Sequence, residues 1–229
     1  MKLSHISHVF FDLDHTLWDF DRNSGLTFEK IFALNSIDTN LTEFLEVYEP
    51  INFQYWKLYR EEKIDKASLR FGRLNDAFLQ LNVKVKPRII NKLSEDYIKH
   101  LCTFNHLFEG TLDILEYLSP KYNLHIITNG FKEVQQGKLN MSNIDHYFKT
   151  VTNSEMVGVK KPNPKIFNHA LNVANAKVAN SIMIGDNLEA DVMGALNIGL
   201  DAICFNYHKE HITNGIKHID TLSELKKFL

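Results

Sequence analysis

Two patterns of hydrophobic and polar positions divide the chain. From residue 16 to about residue 100, apolar residues recur every three or four positions, which is the periodicity of amphipathic helices. Four stretches carry it: LTFEKIFALN, LTEFLEVYEPINFQYWKLYREE, KASLRFGRLNDAFLQLN and PRIINKLSEDYIKHL. Asp38 and Thr42 are suitable helix starts, and Pro87 suits a first helical turn. The pattern predicts a four-helix segment without a strand.

Beyond about residue 107 the pattern changes to short apolar runs separated by helix-like segments. The runs, which we predict as strands, are NLHIITN, KTVTN, SIMIGD and DAICFN. The helix-like segments are TLDILEYLS, KEVQQGKLNMSN, NPKIFNHALNVAN, LEADVMGALNIG and the C-terminal TLSELKKFL. Strands that alternate with helices indicate a parallel sheet with helices on both faces.

The first apolar run, HVFF, resembles these strands in composition but precedes the helical segment. We therefore predict an α/β fold: a Rossmann-like, doubly wound parallel sheet core with an all-helical, four-helix cap domain inserted after the first strand. The predicted core comprises residues 1–16 and 101–229, and the predicted cap comprises residues 17–100.

Composition narrows the class of protein. The chain has 229 residues, 44% hydrophobic and 24% charged, with a formal net charge of −2. These values are ordinary for a globular protein and give no reason to expect a nucleic-acid polymer or a membrane as partner. Acidic residues interrupt the N-terminal apolar stretch by position 12, unlike a signal peptide. Cys102 and Cys204 lack CxxC spacing, so we expect two buried, reduced thiols in a cytoplasmic protein. We expect the protein to be a monomer or weak dimer.

Two aspartates follow the first predicted strand directly. Asp12 and Asp14 are two positions apart and would point to the same side of an extended chain. Like charges at the rim of an apolar core repel each other and are expensive to bury. A partner that offsets this repulsion is therefore expected beside them.

Other polar residues follow the other predicted strands, and they point to one shared site. Ligands of open parallel sheets bind beyond the carboxyl ends of the strands. The residues expected there are Asp12, Asp14, Thr128, Asn129, Lys161, Asp186 and Asp191. The aspartates offer the oxygen ligands that Mg²⁺ prefers, and a cation would offset their repulsion. The hydroxyl, amide and ammonium could bind a phosphoryl group, and a carboxylate can act as a nucleophile.

Each of these features also has a structural interpretation. Asp186 and Asp191 could be a helix cap and an exposed helical residue, the sequence Thr128–Asn129–Gly130 could be a turn, and Lys161 could be solvated. Their joint occurrence at strand ends favours the shared site.

Four motifs, DLDHTL, ITNG, KKP and GDNLEAD, resemble those of the haloacid dehalogenase-like superfamily of phosphohydrolases. The resemblance spans essentially the whole chain and implies a Mg²⁺-dependent phosphoric monoester hydrolase. Asp12 would be the nucleophile, and Asp14 would be the general acid and then the base. Mg²⁺ would be held by Asp12, the backbone carbonyl of Asp14, and Asp186. One departure is His15, where many relatives carry glycine.

The same resemblance implies roles for the remaining motif residues. Thr128 and Lys161 would bind phosphoryl oxygens, with Asn129 nearby. Lys161 is preferred to Lys160 because the family lysine directly precedes the proline. Asp191 would support the metal or Lys161 without itself binding the metal directly. True dehalogenases lack the second aspartate of the first motif, so Asp14 favours phosphoryl chemistry.

Longer stretches, including FDLDHTLWDFD and ITNGFKEVQQGKL, resemble the pyrimidine 5′-nucleotidase branch. The resemblance implies a nucleoside 5′-monophosphate as substrate. Side chains that could contact its base and ribose are Trp18, Phe20, Phe53, Tyr55, Trp56, Tyr59, Arg70, Arg73 and Phe131. Aromatic residues at helical spacing also pack the core of a helical domain, and this alternative stays open.

Three alternatives remain at this point. The substrate could be another small metabolite, a sugar phosphate or phosphoglycolate. A response-regulator receiver also gathers acidic residues around Mg²⁺, but its phosphoacceptor follows the third strand. A catalytically retired binding scaffold of the same fold is the other non-enzymatic possibility, against which the intact motifs argue.

Overall fold

The computed structural model describes residues 2–212 and 215–229 and has an α/β fold with a helical insert after the first strand. Six strands form one sheet in the order β3-β2-β1-β4-β5-β6, and every neighbouring pair is parallel. The strands are β1 (His8–Phe11), β2 (Asn123–Thr128), β3 (Phe148–Asn153), β4 (Ser181–Gly185), β5 (Asp201–Phe205) and β6 (His218–Ile219). The predicted fold class and the predicted strands are confirmed, whereas β6 was not predicted.

The chain divides into two compact units. The first, which we call the core unit, comprises Met1–Phe20 and Asn105–Leu229. The second, which we call the insert, comprises Asp21–Phe104. The boundaries predicted from the sequence lie slightly earlier along the chain.

The helices of the core unit connect its strands. They are α5 (Thr111–Leu118), α6 (Lys132–Met141), the short α7 (Ser154–Val157), α8 (Pro164–Val173) and α9 (Gly194–Leu196). A π-helical segment, Leu188–Met193, precedes α9, and the predicted C-terminal helix is a 3₁₀ helix, Leu222–Lys227. Parallel strands need such crossovers, which leave both faces of the sheet covered and the central strands apolar.

The apolar runs of the central strands form the centre of the core unit. Val9, Phe10 and Phe11 of β1 are fully buried, as is all of the β4 segment from Ile182 to Ile184. One cluster on the sheet joins Phe10 and Met183 to Phe167 of α8. This packing fixes the strand ends, where the polar residues begin.

The insert consists of the four predicted helices. They are α1 (Phe20–Leu34, whose first residue belongs to the core unit), α2 (Leu41–Arg60), α3 (Lys66–Gln80) and α4 (Pro87–Leu101). An aromatic cluster fills its interior, with Phe28 in contact with Phe44, Tyr48 and Tyr97 at centroid distances of 4.6–4.9 Å. Such aromatic contacts, which add to the burial of apolar area, hold the helices together.

Two local predictions are wrong. Helix α2 is capped by Asn40, whose side chain accepts a hydrogen bond from the Glu43 N–H at 3.2 Å, and not by Asp38 or Thr42. Cys204 is buried as predicted, but Cys102 is only half-buried because it directly follows the last turn of α4. Neither cysteine forms a disulfide with another described residue. Among the described residues, none of the helices combines the length and apolar character needed to cross a membrane.

Candidate active site

Asp12 stands one residue past the end of β1. Its backbone N–H donates to the Ile184 carbonyl of β4 at 2.9 Å, so the hydrogen-bond ladder of the sheet continues to this position. The residue is 8% exposed and follows a fully buried apolar run. Sheet hydrogen bonds and core packing therefore fix the backbone from which its carboxylate projects.

The chain turns sharply at His15. Its φ of 58° lies in the left-handed region, and its N–H donates to the Trp18 carbonyl at 3.1 Å. A non-glycine residue pays on the order of 1 kcal/mol for this conformation. The position at which the sequence departs from the glycine of many relatives is thus one where glycine would be unstrained.

Lys161 connects the ends of three strands. Its ammonium Nζ lies 2.6 Å from Asp12 Oδ1 and 2.6 Å from Asp191 Oδ1, and it donates to the Ile127 carbonyl at 2.7 Å. The side chain is 2% exposed. The contacts with Asp12 and Ile127 are hydrogen bonds and the contact with Asp191 is an ion pair, so Lys161 is a paired buried cation.

Burial works against the charges of this cluster. Burial raises the pKa of the Asp12 carboxyl well above its usual range, although Lys161 opposes the rise. The pKa of Asp191 is raised by burial as well, and the charge of Asp186 contributes to both shifts. Burial also disfavours the ammonium of Lys161, but the carboxylates of Asp12 and Asp191 outweigh this and raise its pKa to about 12. Lys161 is therefore charged at neutral pH.

Asp186 directly follows β4, and Asp191 lies in the π-helical segment Leu188–Met193. The Asp191 carboxylate accepts a hydrogen bond from the Asn187 N–H at 3.1 Å, and Asn187 in turn caps the segment by accepting from the Ala190 N–H at 2.8 Å. Gly185 makes this turn possible, because a Cβ there would lie 2.3 Å from Asp191 Oδ2. The sequence GDNLEAD thus folds both carboxylates back toward the end of β1.

The carboxylates fit a divalent cation. Oxygen atoms of Asp12, Asp186 and Asp191 lie within 4.8 Å of one another. Hard carboxylate oxygens are the ligands Mg²⁺ prefers, and the raised pKa values indicate negative charge that Lys161 alone leaves incompletely compensated. Of the three, Asp191 is the one held by both Lys161 and a backbone N–H, which suits a supporting role.

Asp186 has further neighbours that the sequence analysis missed. Thr16 donates its hydroxyl hydrogen to Asp186 Oδ1 at 3.2 Å, and His208 Nε2 lies 3.2 Å from Asp186 Oδ2. His15, Asp186 and His208 also place ligand atoms within 4.8 Å of one another. Thr16 could have been found as the threonine of the D-x-D-x-T motif, whereas His208 lies in no motif.

Thr128 presents a hydroxyl at the end of β2. Its Oγ1 accepts hydrogen bonds from the Gly130 N–H at 3.1 Å and from Gln135 Nε2 at 2.6 Å. With both lone pairs used, the hydroxyl hydrogen is left to donate, and among the described residues it has no acceptor. This arrangement suits donation to an anionic oxygen.

Asn129 has a different set of contacts from the phosphate contact predicted for it. Its amide donates from Nδ2 to the Lys161 carbonyl at 3.0 Å, and its Oδ1 accepts from the Lys161 N–H at 2.8 Å. This pair of bonds fastens the loop that carries Lys161 to the end of β2. Contact with a phosphoryl group stays a prediction.

Asp14 is held by two residues of α6 that the sequence analysis did not single out. Lys138 Nζ lies 2.5 Å from Asp14 Oδ1, and Gln135 Nε2 donates to Asp14 Oδ2 at 3.1 Å. Their positions along the helix could have identified them, because they lie on the same buried face as Val134 and Leu139.

The aromatic residues after Asp14 belong to the same surroundings. Trp18 and Phe20 are buried, and Lys138 Nζ lies 4.3 Å and 5.3 Å from the centroids of their rings. Trp18 Nε1 has no hydrogen-bond acceptor among the described residues. Phe131 is buried at the N-terminus of α6. Their predicted contact with a substrate stays a prediction.

The predicted cap residues make contacts within the insert. Arg73 is 2% exposed, donates to Asn52 Oδ1 at 2.8 Å and lies 5.0 Å from the Tyr97 ring centroid. Arg70 donates to the Ser94 hydroxyl at 3.2 Å, and Trp56 stacks edge-on with Tyr59 at 5.8 Å. Substrate contacts of Arg70, Arg73 and Trp56 stay predictions.

Comparison with known proteins agrees with this geometry. The haloacid dehalogenase-like hydrolase family model matches residues 9–205, a range that includes every motif residue from Asp12 to Asp191. The magnesium-bound structure of the Bacillus subtilis protein YfnB superposes with a TM-score of 0.87 at 25% identity, covering 97% of each chain.

The similar proteins at 31–33% identity are named for two different substrates. The chain is 33% identical to a pyrimidine 5′-nucleotidase of Escherichia coli, over 95% of this chain and 93% of that protein. It is 31% identical to a pyrimidine 5′-nucleotidase of Streptococcus pneumoniae, over 90% and 85%. It is also 31% identical to a glyceraldehyde 3-phosphate phosphatase of Methanothermobacter thermautotrophicus, over 96% and 98%.

Proposed function

The chain belongs to the haloacid dehalogenase-like hydrolase family, and we propose that it is a Mg²⁺-dependent phosphatase acting on a small phosphate monoester through an aspartyl-phosphate. One observation carries the proposal. Two carboxylates two residues apart have separate cationic partners, Asp12 with Lys161 and Asp14 with Lys138. Different surroundings allow two aspartates to take different roles in one reaction.

In the first step, a carboxylate oxygen of Asp12 attacks phosphorus. The bond from phosphorus to the leaving oxygen breaks, its electron pair stays on that oxygen, and the oxygen takes a proton from Asp14. In the second step, water attacks the phosphorus of the aspartyl-phosphate and gives a proton to Asp14. Inorganic phosphate leaves, and Asp12 is again a carboxylate.

Two side chains are suited to bind the phosphoryl group. The Lys161 ammonium carries its charge at neutral pH, and Thr128 has a hydroxyl hydrogen left to donate. Preorganised donors of this kind stabilise charge that develops in the transition state, because they need not reorient during the reaction. Asn129 supports this role indirectly by fixing the backbone of Lys161.

Asp12, the backbone carbonyl of Asp14, and Asp186 would hold Mg²⁺. The ion would supply charge to neutralise phosphoryl oxygens and orient the reacting group. The carboxylate cluster supports this assignment, as does the magnesium-bound relative. Asp14 further favours phosphoryl transfer over halide displacement, because its proton serves an alkoxide leaving group.

For the substrate we propose a nucleoside 5′-monophosphate, with pyrimidine nucleotides preferred. The similarity to two pyrimidine 5′-nucleotidases supports this choice. A small sugar-like phosphate is the second candidate, since the similarity to glyceraldehyde 3-phosphate phosphatase is almost as high. Both candidates use the same core chemistry.

A substrate panel with one active-site variant tests the proposal. The wild-type chain should hydrolyse UMP, dUMP and dTMP faster than glyceraldehyde 3-phosphate or phosphoglycolate, and EDTA should abolish turnover. Asp12→Asn should lose at least about 10³-fold in kcat, because it removes the nucleophile. Asp113→Asn, at an exposed position of α5, is the matched control.

The outcomes separate the levels of the proposal. Faster hydrolysis of the sugar-like phosphates would overturn the nucleotidase assignment and leave the phosphatase intact. Wild-type turnover by a correctly folded Asp12→Asn variant would overturn the mechanism itself. A wild-type chain without phosphatase activity in Mg²⁺ would favour the binding scaffold.

A further inference from the structure

Two neighbouring side chains of α6 hold both oxygens of Asp14. Lys138 Nζ lies 2.5 Å from Oδ1, and Gln135 Nε2 lies 3.1 Å from Oδ2. Residues three apart on a helix share a face, so one rigid element carries both donors. Asp14 itself is only partly covered, with 21% of its side chain exposed. Without these donors its carboxylate would be able to rotate.

The contacts of Lys138 offset the cost in free energy of burying its ammonium. Its side chain is 3% exposed, and a buried ammonium is unfavourable unless it is paired. The only carboxylate that pairs with it among the described residues is that of Asp14, and the rings of Trp18 and Phe20 cover it at 4.3 Å and 5.3 Å. The aromatic faces favour the cation and restrict its movement. The arrangement therefore directs the ammonium at a single group, Asp14.

Gln135 connects Asp14 to the proposed phosphate-binding hydroxyl. Its Nε2 donates to Thr128 Oγ1 at 2.6 Å as well as to Asp14 Oδ2. Its Oε1 is buried without a partner among the described residues, which is a further unfavourable term. Gly130 leaves room for this amide, since a Cβ there would lie 2.1 Å from Nε2. The two residues that contact Asp14 thus each carry an unfavourable feature: the buried ammonium of Lys138 and, among the described residues, the unpartnered Oε1 of Gln135.

We infer that Gln135 and Lys138 are positioning residues for the reaction: they hold the Asp14 carboxyl for proton transfer to the leaving oxygen, and Gln135 at the same time turns the Thr128 hydroxyl hydrogen outward. The inference rests on the proposed phosphatase activity. Each oxygen of Asp14 keeps a lone pair beside the bond it accepts, so the carboxyl remains able to carry a proton. Misplacement of such a group by about 1 Å can cost on the order of 10²-fold in rate.

Leaving-group dependence tests the role of Lys138. Lys138→Met should lower kcat/KM for UMP by about 10²-fold, because a nucleoside alkoxide needs a proton to leave. It should lower kcat/KM for p-nitrophenyl phosphate by less than about tenfold, because nitrophenolate leaves without one. Lys132→Met, at an exposed position of the same helix, should change neither value. Loss of packing alone would lower both substrates equally.

A double-mutant cycle tests whether Lys138 acts through Asp14. If it does, adding Lys138→Met to Asp14→Asn should lower the remaining UMP turnover by less than about threefold, because the carboxyl it positions is already gone. The same 10²-fold loss in both backgrounds would show an independent effect and would overturn the inference.

Gln135→Leu provides a second variant that leaves no unpaired buried charge, should Lys138→Met fail to fold. It should raise KM as well as lower kcat for UMP, since both the hydroxyl of Thr128 and the carboxyl of Asp14 lose a donor. Gln136→Leu is the matched control, because Gln136 is exposed and its amide donates only to Asn140 at 2.7 Å.

Failure of the inference can be told from failure of the proposed function. If wild-type and control chains are active, Asp12→Asn is inactive, and Gln135→Leu matches the wild type for both kinetic constants, the inference is overturned alone. Equal losses on UMP and p-nitrophenyl phosphate in Lys138→Met would overturn it as well. Absence of hydrolysis by the wild-type chain would overturn both proposals.

Discussion

The two ends of the central strands bury polar groups in opposite ways. Beyond the carboxyl ends of β1 and β2, the polar groups are charged: Asp12, Asp191 and the ammonium of Lys161 meet at 2.6 Å. In the other half of the same strands, His8 Nδ1 lies 3.0 Å from His125 Nε2, and His125 Nδ1 lies 2.9 Å from Thr150 Oγ1. We call these sets the charged cluster and the histidine chain.

The histidine chain spans three adjacent strands and is satisfied internally. His125 is 1% exposed and stacks on Phe10 with a centroid distance of 4.6 Å. Burial, and then the proximity of His8 and Lys149, lowers the pKa of His125 to about 4. The pKa of His8 is lowered by burial too. At neutral pH the chain is therefore a set of uncharged groups that satisfy one another.

The contrast shows what separates a structural polar cluster from a candidate site. Uncharged partners can satisfy each other in the interior at a moderate net gain in stability. The charged cluster keeps several ionisable groups with raised pKa values and one compensating ammonium. Burying these ionisable groups costs free energy when no ligand is bound. A cation or anion that binds there offsets part of this cost, which marks the cluster as a candidate site.

The largest effect expected from this comparison is on Lys161. Lys161→Met should lower kcat for phosphate-ester hydrolysis by at least about 10³-fold, because the phosphoryl group loses a buried, preorganised charge. The free energy of unfolding should fall as well, since Asp12 and Asp191 lose their shared partner. Turnover normalised to folded protein, together with urea unfolding, measures both effects.

Lys160→Met supplies the matched control for that prediction. The adjacent lysine is only half-buried and lies outside the cluster, so its loss should leave kcat within about twofold of the wild type. Equal losses in the two variants would remove the distinction between Lys160 and Lys161. The kinetics would then give no reason to assign a role in the reaction to Lys161 rather than to Lys160.

We expect the histidine chain to affect the free energy of unfolding and its pH dependence, and not the rate of hydrolysis. Between pH 7 and pH 5 an unfolded histidine gains a proton, whereas His125 with a pKa of about 4 does not. The unfolded state then binds more protons, so stability falls as the pH is lowered, by roughly 2 kcal/mol for this group. Urea unfolding at several pH values between 7 and 5 measures the slope.

His125→Gln should flatten this slope and leave kcat at pH 7 within about twofold. His146→Gln is the control, because His146 is exposed and should leave the slope as it is. A tenfold loss of kcat in His125→Gln with intact stability would break the comparison, since it would tie the histidine chain to the reaction.

The sequence predicted the charged cluster well because topology places it. Parallel strands end at a common edge, so polar residues that follow separate apolar runs must meet there. Asp12, Thr128 and Asp186 each follow such a run, and the structure brings them to one edge. The fold class followed from the same alternation of strands and helices.

Positions that depend on helical phase or on side-chain burial were harder to predict. Gln135 and Gln136 are identical in composition, yet one is buried against Asp14 and the other is exposed. A polar side chain on an amphipathic helix is usually solvated, and only the phase set by Val134 and Leu139 separates the two. Strand β6, with two residues, is too short to give a pattern.

The smallest of these effects concerns Asp191, which lies in the charged cluster but has a neighbour at each of its carboxylate oxygens. Its carboxylate is held by Lys161 at 2.6 Å and by the Asn187 N–H at 3.1 Å.

Asp191→Asn keeps a hydrogen-bonding group of the same shape and removes one negative charge beside Lys161. We expect kcat to fall about tenfold to thirtyfold, as for groups that orient a metal site from behind. Activation by Mg²⁺ should shift to higher concentration in parallel, because the removed charge also contributes to the carboxylate cluster. Titration of kcat with Mg²⁺ measures both, and Asp113→Asn serves as the control. A loss as large as that of Asp12→Asn would instead place Asp191 among the groups that touch the reacting atoms.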